Sequence, residues 1–530
     1  MSEQTSIPAD PELDPTASYA TDQSVIRRLS GLLRATAGAR TSYAPATGQP
    51  IADLPVSSPD DVIAAVRSAR KTQQTWHRVP LAERAAILLR YHDLVLDHRH
   101  ELVDLVIRES GKARKQAFEE VAHVALTARY YGRKAAEFLE PQRKLGMFPI
   151  LTRAEQRNVA KGVVGVISPW NYPLSMAMAD GLPAVLAGNT IVHKPDSQTP
   201  LTALRAIELL YDAGLPRDAW QPVNGDGPTV GGALIQNADY ICFTGSTKTG
   251  RLVAKQAGER LIGCSLELGG KNPMLVLRDA DVHRAAEGAV RACFASAGQL
   301  CVSMERLYVA DQVYDAFVTA FVDRVKKIRL SAGTGWDVDM GSLISKAQLE
   351  TVTRHVDDAR ANGATVLVGG RARPDIGPLF YEPTVLSGVT PAMECFDNET
   401  FGPVVSIYRF SDESEAIQRA NEGEYGLNAS VWTRDGRRGR AIAAQLVAGT
   451  VNVNEAYAAT FGSIDTPMGG MRSSGLGRRQ GAEGIRRYVD PQAIATQRVL
   501  PIAASHGISD ETYAELMTGA LRILKKLGRA

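Results

Sequence analysis

Apolar positions in the first quarter of the chain recur at helical spacing. In "SSPDDVIAAVRSARKTQQTW" (57–76) they follow Ser58, the expected N-cap, and Pro59, which suits a first helical turn. "LAERAAILLRYHDLVLDHRHELVDLVIRESGK" (81–112) continues the pattern until Gly111 stops it. Residues 55–140 therefore read as packed scaffold helices. From residue 162 the period changes. Short apolar runs "GVVGVIS", "NTIVHK", "QPVN", "YICFTG" and "RLIGCSLEL" alternate with helix-like segments starting near Leu174, Pro200, Pro228 and Lys248. A second series runs from "NPMLVL" through "RLYVA", "TVLVGG", "VVSIY" and "ASVWT" to "GTVNVN". Such alternation predicts parallel βαβ units: two α/β domains, the first with a Rossmann-type sheet, and a cleft between their loops.

Two further segments depart from this scheme. Residues 142–162 and 486–499 are extended in character, as edge or arm strands that pair with another subunit would be. The stretch "SDETYAELMTGALRILKKLGRA" (509–530) predicts an amphipathic helix. Tyr513, Leu516, Met517, Ala520, Leu521, Leu524 and Leu527 share its apolar face, and cations gather at its C-terminal end. Such a face suits packing against the body or a neighbouring subunit.

Composition narrows the function classes. The 530 residues include 60 basic and 58 acidic ones, a balance that gives no footprint for a nucleic-acid partner. The start of the chain is acidic and Pro/Ser-rich without an apolar core, so it reads as a mobile arm and not a signal peptide. No apolar run approaches the roughly 20 residues needed to span a bilayer, and a cytoplasmic location is the default expectation. Five scattered cysteines without a CxxC pair, and histidines without ligand spacing, predict neither a disulfide framework nor a metal site.

Several short stretches carry candidate chemistry. Cys301 follows the turn "GQL" and precedes a strand-like run; alone, it reads equally as a buried small side chain or a nucleophile. Glu267 ends a strand-like run before Gly269 and Gly270, where a carboxylate is costly unless paired or set in a functional pocket. Asn171 in "SPWNYP" is either a turn-stabilising residue or an N–H donor to a developing oxyanion. "VHKPDSQTP" (192–200) and "CFTGSTKTG" (242–250) are strand-to-helix turns, where doubly wound sheets bind ligands. Gly245, Ser246 and Gly250 would let a phosphate approach a helix start, although the spacing is not GxGxxG. Lys194 could reach a ribose or a phosphate.

Together "PWNYP", "KPDSQTP", "FTGSTKTG", "LELGGKNP", "GQLC", "ETFGP" and "PMGGMRSSGLGRRQG" stand in the order and at the intervals of the aldehyde dehydrogenase superfamily. The resemblance covers roughly residues 45–500. Within the superfamily the chain is most similar to bacterial NADP-dependent succinate-semialdehyde dehydrogenases, particularly an actinobacterial branch with an added C-terminal helix. The resemblance implies an α/β fold: a Rossmann-type cofactor domain from residues 24–141 and 161–267, and a catalytic domain from 268–483. A β-strand oligomerisation arm from 142–160 and 484–500 would make a homodimer or homotetramer. A flexible arm (1–23) and an amphipathic helical tail (501–530) flank this body.

Carried over residue by residue, Cys301 is the nucleophile, Glu267 the general base, and Asn171 the oxyanion donor beside the Cys301 backbone N–H. Glu399 and Phe401 match the pair at the nicotinamide ribose and ring. Trp170, Asn171, Lys194, Pro195, Asp196, Ser197, Gly245, Ser246 and Leu268 match cofactor-contact positions. Thiolate is the reactive form, so such a site is expected to lower the thiol pKa. NAD-preferring relatives carry Glu where this chain has Ser197, and a carboxylate there would repel a 2′-phosphate; the implied cofactor is NADP, with NAD less preferred. The implied substrate is succinate semialdehyde. However, two positions where some relatives clamp its carboxylate with arginine are Ala179 and Ala295 here, which leaves uncharged aliphatic or aromatic aldehydes as the alternative. Val302 and Ser303 follow the nucleophile, so no local Cys–Cys switch is expected. Acylating relatives that use coenzyme A generally lack the general base, which favours hydrolysis. A catalytically silent binding homologue is the reading of another class.

Overall fold

The computed structural model describes residues 23–148, 151–498, 501–505 and 507–526. Most of the expected N-terminal arm, and Leu527 of the tail helix, lie outside the described residues. The chain forms two compact units. The larger comprises the chain up to Phe138 and Ala160–Tyr488; the smaller comprises Leu139–Val159 and the chain from Val489.

The larger unit opens, after a short helix, with an antiparallel hairpin, β1 (Ala39–Tyr43) and β2 (Pro50–Pro55). Ser58 caps the helix Pro59–Trp76 as predicted. Its hydroxyl accepts from the Asp61 N–H, and the Asp61 carboxylate accepts from the Ser58 N–H at 2.8 Å. The next helical stretch is not continuous. It breaks at His98 into Leu81–Asp97 and Arg99–Ser110, where Arg205 reaches His98 Nδ1 (3.2 Å) and pairs with Glu101. Gly111 ends the second helix with φ +72°, as its position in the sequence implies.

The first sheet holds β5 (Val163–Ile167), β6 (Thr190–Lys194), β7 (Trp220–Pro222), β8 (Tyr240–Thr244) and β9 (Gly263–Glu267), all parallel. Every residue of β5 and β6 is buried, as expected of strands covered by helices on both faces. Register aligns Ile167 with Lys194 and Phe243, and Thr244 with Glu267, so the carboxyl ends of four strands open along one edge. A sixth strand comes from far along the chain. The short β17 (Gly475–Leu476) pairs antiparallel with β9 and sets Gly475 opposite Glu267. The segment 268–483 thus lends a strand to the sheet of the expected cofactor domain.

The second sheet is ordered β12 (Thr365–Val368), β13 (Thr384–Ser387), β14 (Val404–Phe410), β11 (Met304–Ala310), β10 (Asn272–Val276), β15 (Asn428–Trp432), β16 (Thr450–Val453). It is parallel except for the β12–β13 pair, and β13 had no counterpart among the predicted runs.

The smaller unit contains a three-stranded sheet of β3 (Gln142–Lys144), β4 (Thr152–Ala160) and β18 (Val489–Gln497), with β4 in the middle. The expected strands thus form, although 484–486 belong to the helix Gly481–Arg486 of the larger unit. The predicted terminal helix spans Asp510–Lys526 and buries none of its residues. Among the described residues no helix is long and apolar enough to cross a membrane, and no cluster of three or more His, Cys, Asp or Glu could hold a metal.

Candidate active site

One cavity of about 300 Å³ brings together most of the predicted positions: Asn171, Glu267, Cys301, Glu399 and Phe401, with Trp170, Gly245, Ser246 and Leu268 on the same wall. Lys194, Pro195, Asp196 and Ser197 do not line it; they lie past the end of β6.

The turn before Cys301 is built from unusual backbone. Ser296, Ala297 and Gly298 have φ of 52°, 55° and 70° in succession, a left-handed run that costs of order 1–2 kcal/mol per non-glycine residue. Side-chain amides offset that strain. Gln299 bonds to the Ser296 and Ser342 carbonyls and accepts the Ile344 N–H at 2.9 Å. Asn272 Nδ2 donates to the Cys301 and Ser303 carbonyls at 2.8 and 2.7 Å, and Asn428 holds the Val302 carbonyl at 2.9 Å. Cys301 is thereby presented on a rigid loop, half-buried at the cavity wall.

The thiol is not depressed as expected. Its low-polarity surroundings, then the Glu267 charge, push it up to about 12, against a smaller opposing pull from Arg479. Glu267 is buried at the end of β9, and burial pushes its carboxyl up to about 7, with Arg479 the largest opposing influence. A carboxylate so placed is poised to exchange protons near neutrality.

Asn171 follows β5 and donates from Nδ2 to the Gln299 carbonyl at 3.0 Å. A side-chain amide has two N–H donors, so one remains for a ligand. Its backbone carbonyl accepts from Lys112 Nζ (2.6 Å), which also pairs with Glu120 at 2.5 Å and lies 3.6 Å over the Tyr172 ring. Glu120 in turn accepts the Leu174 and Ser175 N–H groups, so a buried ion pair fixes the whole "WNYP" turn. Nothing in the sequence marked Lys112, 59 positions before Asn171.

Glu399 accepts the Gly270 N–H at 2.8 Å, and burial, then Glu305, pushes it up to about 8. Phe401 sits at φ +50°, held by Glu305, which accepts its N–H, and by Gln348, which donates to its carbonyl. Its ring meets Trp170 edge-on at 5.6 Å. Ser246 caps the helix Thr247–Glu259. That helix can approach Leu268 only because residue 250 is glycine; a Cβ there would lie 2.4 Å from the leucine.

Beyond β6 the structure adds a residue that sequence reasoning missed. Arg40, on β1, donates to Ser197 Oγ at 3.2 Å. Burial pushes Lys194 down and Arg40 pushes it the same way, while Asp196 and Asp226 pull it back. Among the described residues neither Arg40 nor Lys194 has a carboxylate within ion-pair distance. Two such cations beside a hydroxyl form a donor set suited to a phosphate.

A thiol, a proton-exchanging carboxylate and a spare amide N–H on one cavity form the constellation for covalent catalysis at a carbonyl. A profile of the aldehyde dehydrogenase family matches residues 34–494. The chain belongs to the aldehyde dehydrogenase family. A relative in Mycolicibacterium smegmatis, provisionally named an NADP(+) succinate-semialdehyde dehydrogenase, is 54% identical over 91% of this chain and 93% of its own. The phenylacetaldehyde dehydrogenase of Pseudomonas fluorescens is 38% identical over 85% of this chain and 91% of its own. The crystal structure of an E. coli NADP-dependent enzyme superposes with a TM-score of 0.83 at 33% identity, covering 87% of this chain and 95% of that one. This family member thus shares its fold with proteins of matching length.

Proposed function

We propose that this aldehyde dehydrogenase oxidises succinate semialdehyde to succinate with NADP+, using Cys301 as nucleophile, Glu267 as general base and Asn171 as oxyanion donor. The convergence of these three residues on one cavity, together with Glu399 and Phe401, carries the reading. Cys301 Sγ attacks the aldehyde carbon, its proton leaving to solvent. The resulting oxyanion is held by the free Asn171 N–H and the Cys301 backbone N–H. The nicotinamide cofactor, when bound, supplies the hydride acceptor that turns the adduct into a thioester on Cys301. Glu267 then takes a proton from water, which hydrolyses the thioester to the acid and returns Cys301.

NADP preference is supported by the pairing of Arg40 with Ser197 beside Lys194, and by the names of two of the proteins compared above. The expected outcome is that Arg40→Ala lowers kcat/KM for NADP+ about tenfold or more, the value of losing one charged hydrogen bond, and leaves NAD+ nearly unaffected. Ser197→Glu is expected to reverse the preference; unchanged NADP+ selectivity in both variants would sink the reading.

A second substrate reading has its own support. Ala179 and Ala295 are buried and uncharged, the cavity walls include Tyr172, Met176, Leu300 and Phe461, and the cation within, Arg479, is already paired. Uncharged aldehydes fit such walls. A panel comparing kcat/KM for succinate semialdehyde, an aliphatic aldehyde and phenylacetaldehyde decides between the two. A homo-oligomer built through β4 and β18 completes the reading, supported by the long, exposed edge strand β18.

A further inference from the structure

Arg479 lies in the cavity wall, buried to 3% exposure, three residues past the short strand β17 that closes the first sheet. Its guanidinium is held at one end. Nη2 donates to Asp180 at 2.9 Å and to Thr244 Oγ1 at 3.0 Å, and Nη1 rests against Met176 Sδ. Asp180 is itself anchored by Arg487 at 2.5 Å. The other end of the fork is unused: Nε points toward Glu267 Oε1 at 3.7 Å, and neither atom has a hydrogen-bond partner although both are buried. Buried polar atoms without partners are uncommon, and two facing each other across less than 4 Å form a prepared gap. A small movement of the Glu267 side chain closes it.

We propose that Arg479, tethered by Asp180, is a positioning residue that docks the Glu267 carboxylate and holds it ionised for thioester hydrolysis. The inference rests on the reading of Glu267 as general base. Charged groups act on Glu267 from several elements: Arg479 and Arg478 past β17, Asp180 beyond the helix Pro173–Ala179, and Arg487 after the helix Gly481–Arg486. Cys301 lies within electrostatic range of both Glu267 and Arg479. Of the cations, Arg479 has the largest effect, and among the described residues it is the one within 4 Å of the carboxylate. Burial and Asp180 push the carboxyl up, so without Arg479 it protonates at higher pH. Asp180 would keep Arg487 as a partner, so the loss leaves no unpaired buried acid there.

Rapid mixing of Arg479→Gln with aldehyde and NADP+ separates hydride transfer, read as a burst of NADPH, from hydrolysis, read as the steady state. The expected result is a retained burst and an acid limb of kcat displaced upward by about one pH unit or more, with roughly a tenfold slower steady state near pH 7. Arg479→Lys keeps the charge and is expected to leave the limb within about half a unit. A glutamine variant with an unmoved limb would overturn the proposal. So would a folded, burst-competent lysine variant whose limb moves by a full unit, a result that remains decisive if the glutamine variant does not fold. A loss confined to KM for succinate semialdehyde, with uncharged aldehydes unaffected, would instead make Arg479 a substrate clamp and also overturn it. Absence of any burst in the wild type would count against the mechanism on which the proposal rests, and is distinguishable from all of these.

Discussion

Glu267→Gln removes a charge while keeping shape, and its effect can be worked from the burial of the group. The carboxyl stands at about 7 in the folded protein against 4.5 for the free side chain. The folded state therefore binds this proton more tightly than the unfolded chain does. Stability from this group is present in full below the unfolded value and is lost as pH rises toward 7. At about 1.4 kcal/mol per pH unit, the burden of the ionised carboxylate grows from roughly 1 kcal/mol at pH 5 to roughly 3 kcal/mol at pH 8. Glutamine carries no such burden, so the variant is expected to be more stable than wild type, and increasingly so at higher pH. For a chain of this length the extra 2 kcal/mol corresponds to about 2 °C in Tm. Scanning fluorimetry of both proteins from pH 5 to 8.5 measures the gap. Rapid mixing of the variant should show the NADPH burst followed by turnover reduced about a hundredfold or more, in line with loss of a general base. A Tm gap that does not widen with pH, or a variant with normal turnover, would refute the placing of a strained, functional acid at this position.

Other outcomes follow from contacts around the same cavity. Gly298→Ala puts a Cβ 2.0 Å from the Gly402 carbonyl oxygen at φ +70°, so thiol labelling of Cys301 should become heterogeneous and soluble yield should fall; normal labelling and yield would contradict the rigid-loop account. Lys112→Met leaves Glu120 buried without its cation and should cost about 3–5 kcal/mol in stability, part of which Lys112→Met/Glu120→Gln recovers. Denaturant titration of the two variants measures it, and equal stability of the single and double variants would contradict the pairing. Sedimentation of the wild type should give a dimer or larger, and Ile494→Arg on the exposed face of β18 should shift it toward smaller species; a monomeric wild type would end the proposed role of this strand.

Legibility varied with how local each signal was. The N-cap at Ser58, the stop at Gly111 and the buried parallel strands were readable because caps, left-handed glycines and apolar runs act within a few residues. Cys301, Glu267, Asn171 and Glu399 were readable as ordered motifs, and the structure brings all four to one cavity. The break at His98 was not readable: it carries no proline or glycine, and Arg205 reaches it from more than a hundred residues away. Strand β13 was missed as well, its "TVL" run being too short to stand out from a loop. The thiol expectation failed in direction, because the motif marks the candidate nucleophile but not the low-polarity surroundings, nor the Glu267 charge, that the folded chain sets around it.

Local sequence, then, determined the α/β alternation, the family and the candidate reacting groups, since periodicity and motif order are properties of neighbouring residues. Tertiary structure alone decided which remote groups surround them. Arg40 meets Ser197 across 157 positions, Lys112 holds Asn171 across 59, and Arg479 faces Glu267 because a short strand from the end of the chain closes the first sheet. Charge and burial act through space and not along the chain, so protonation states and phosphate recognition appear only when those separations have been folded away.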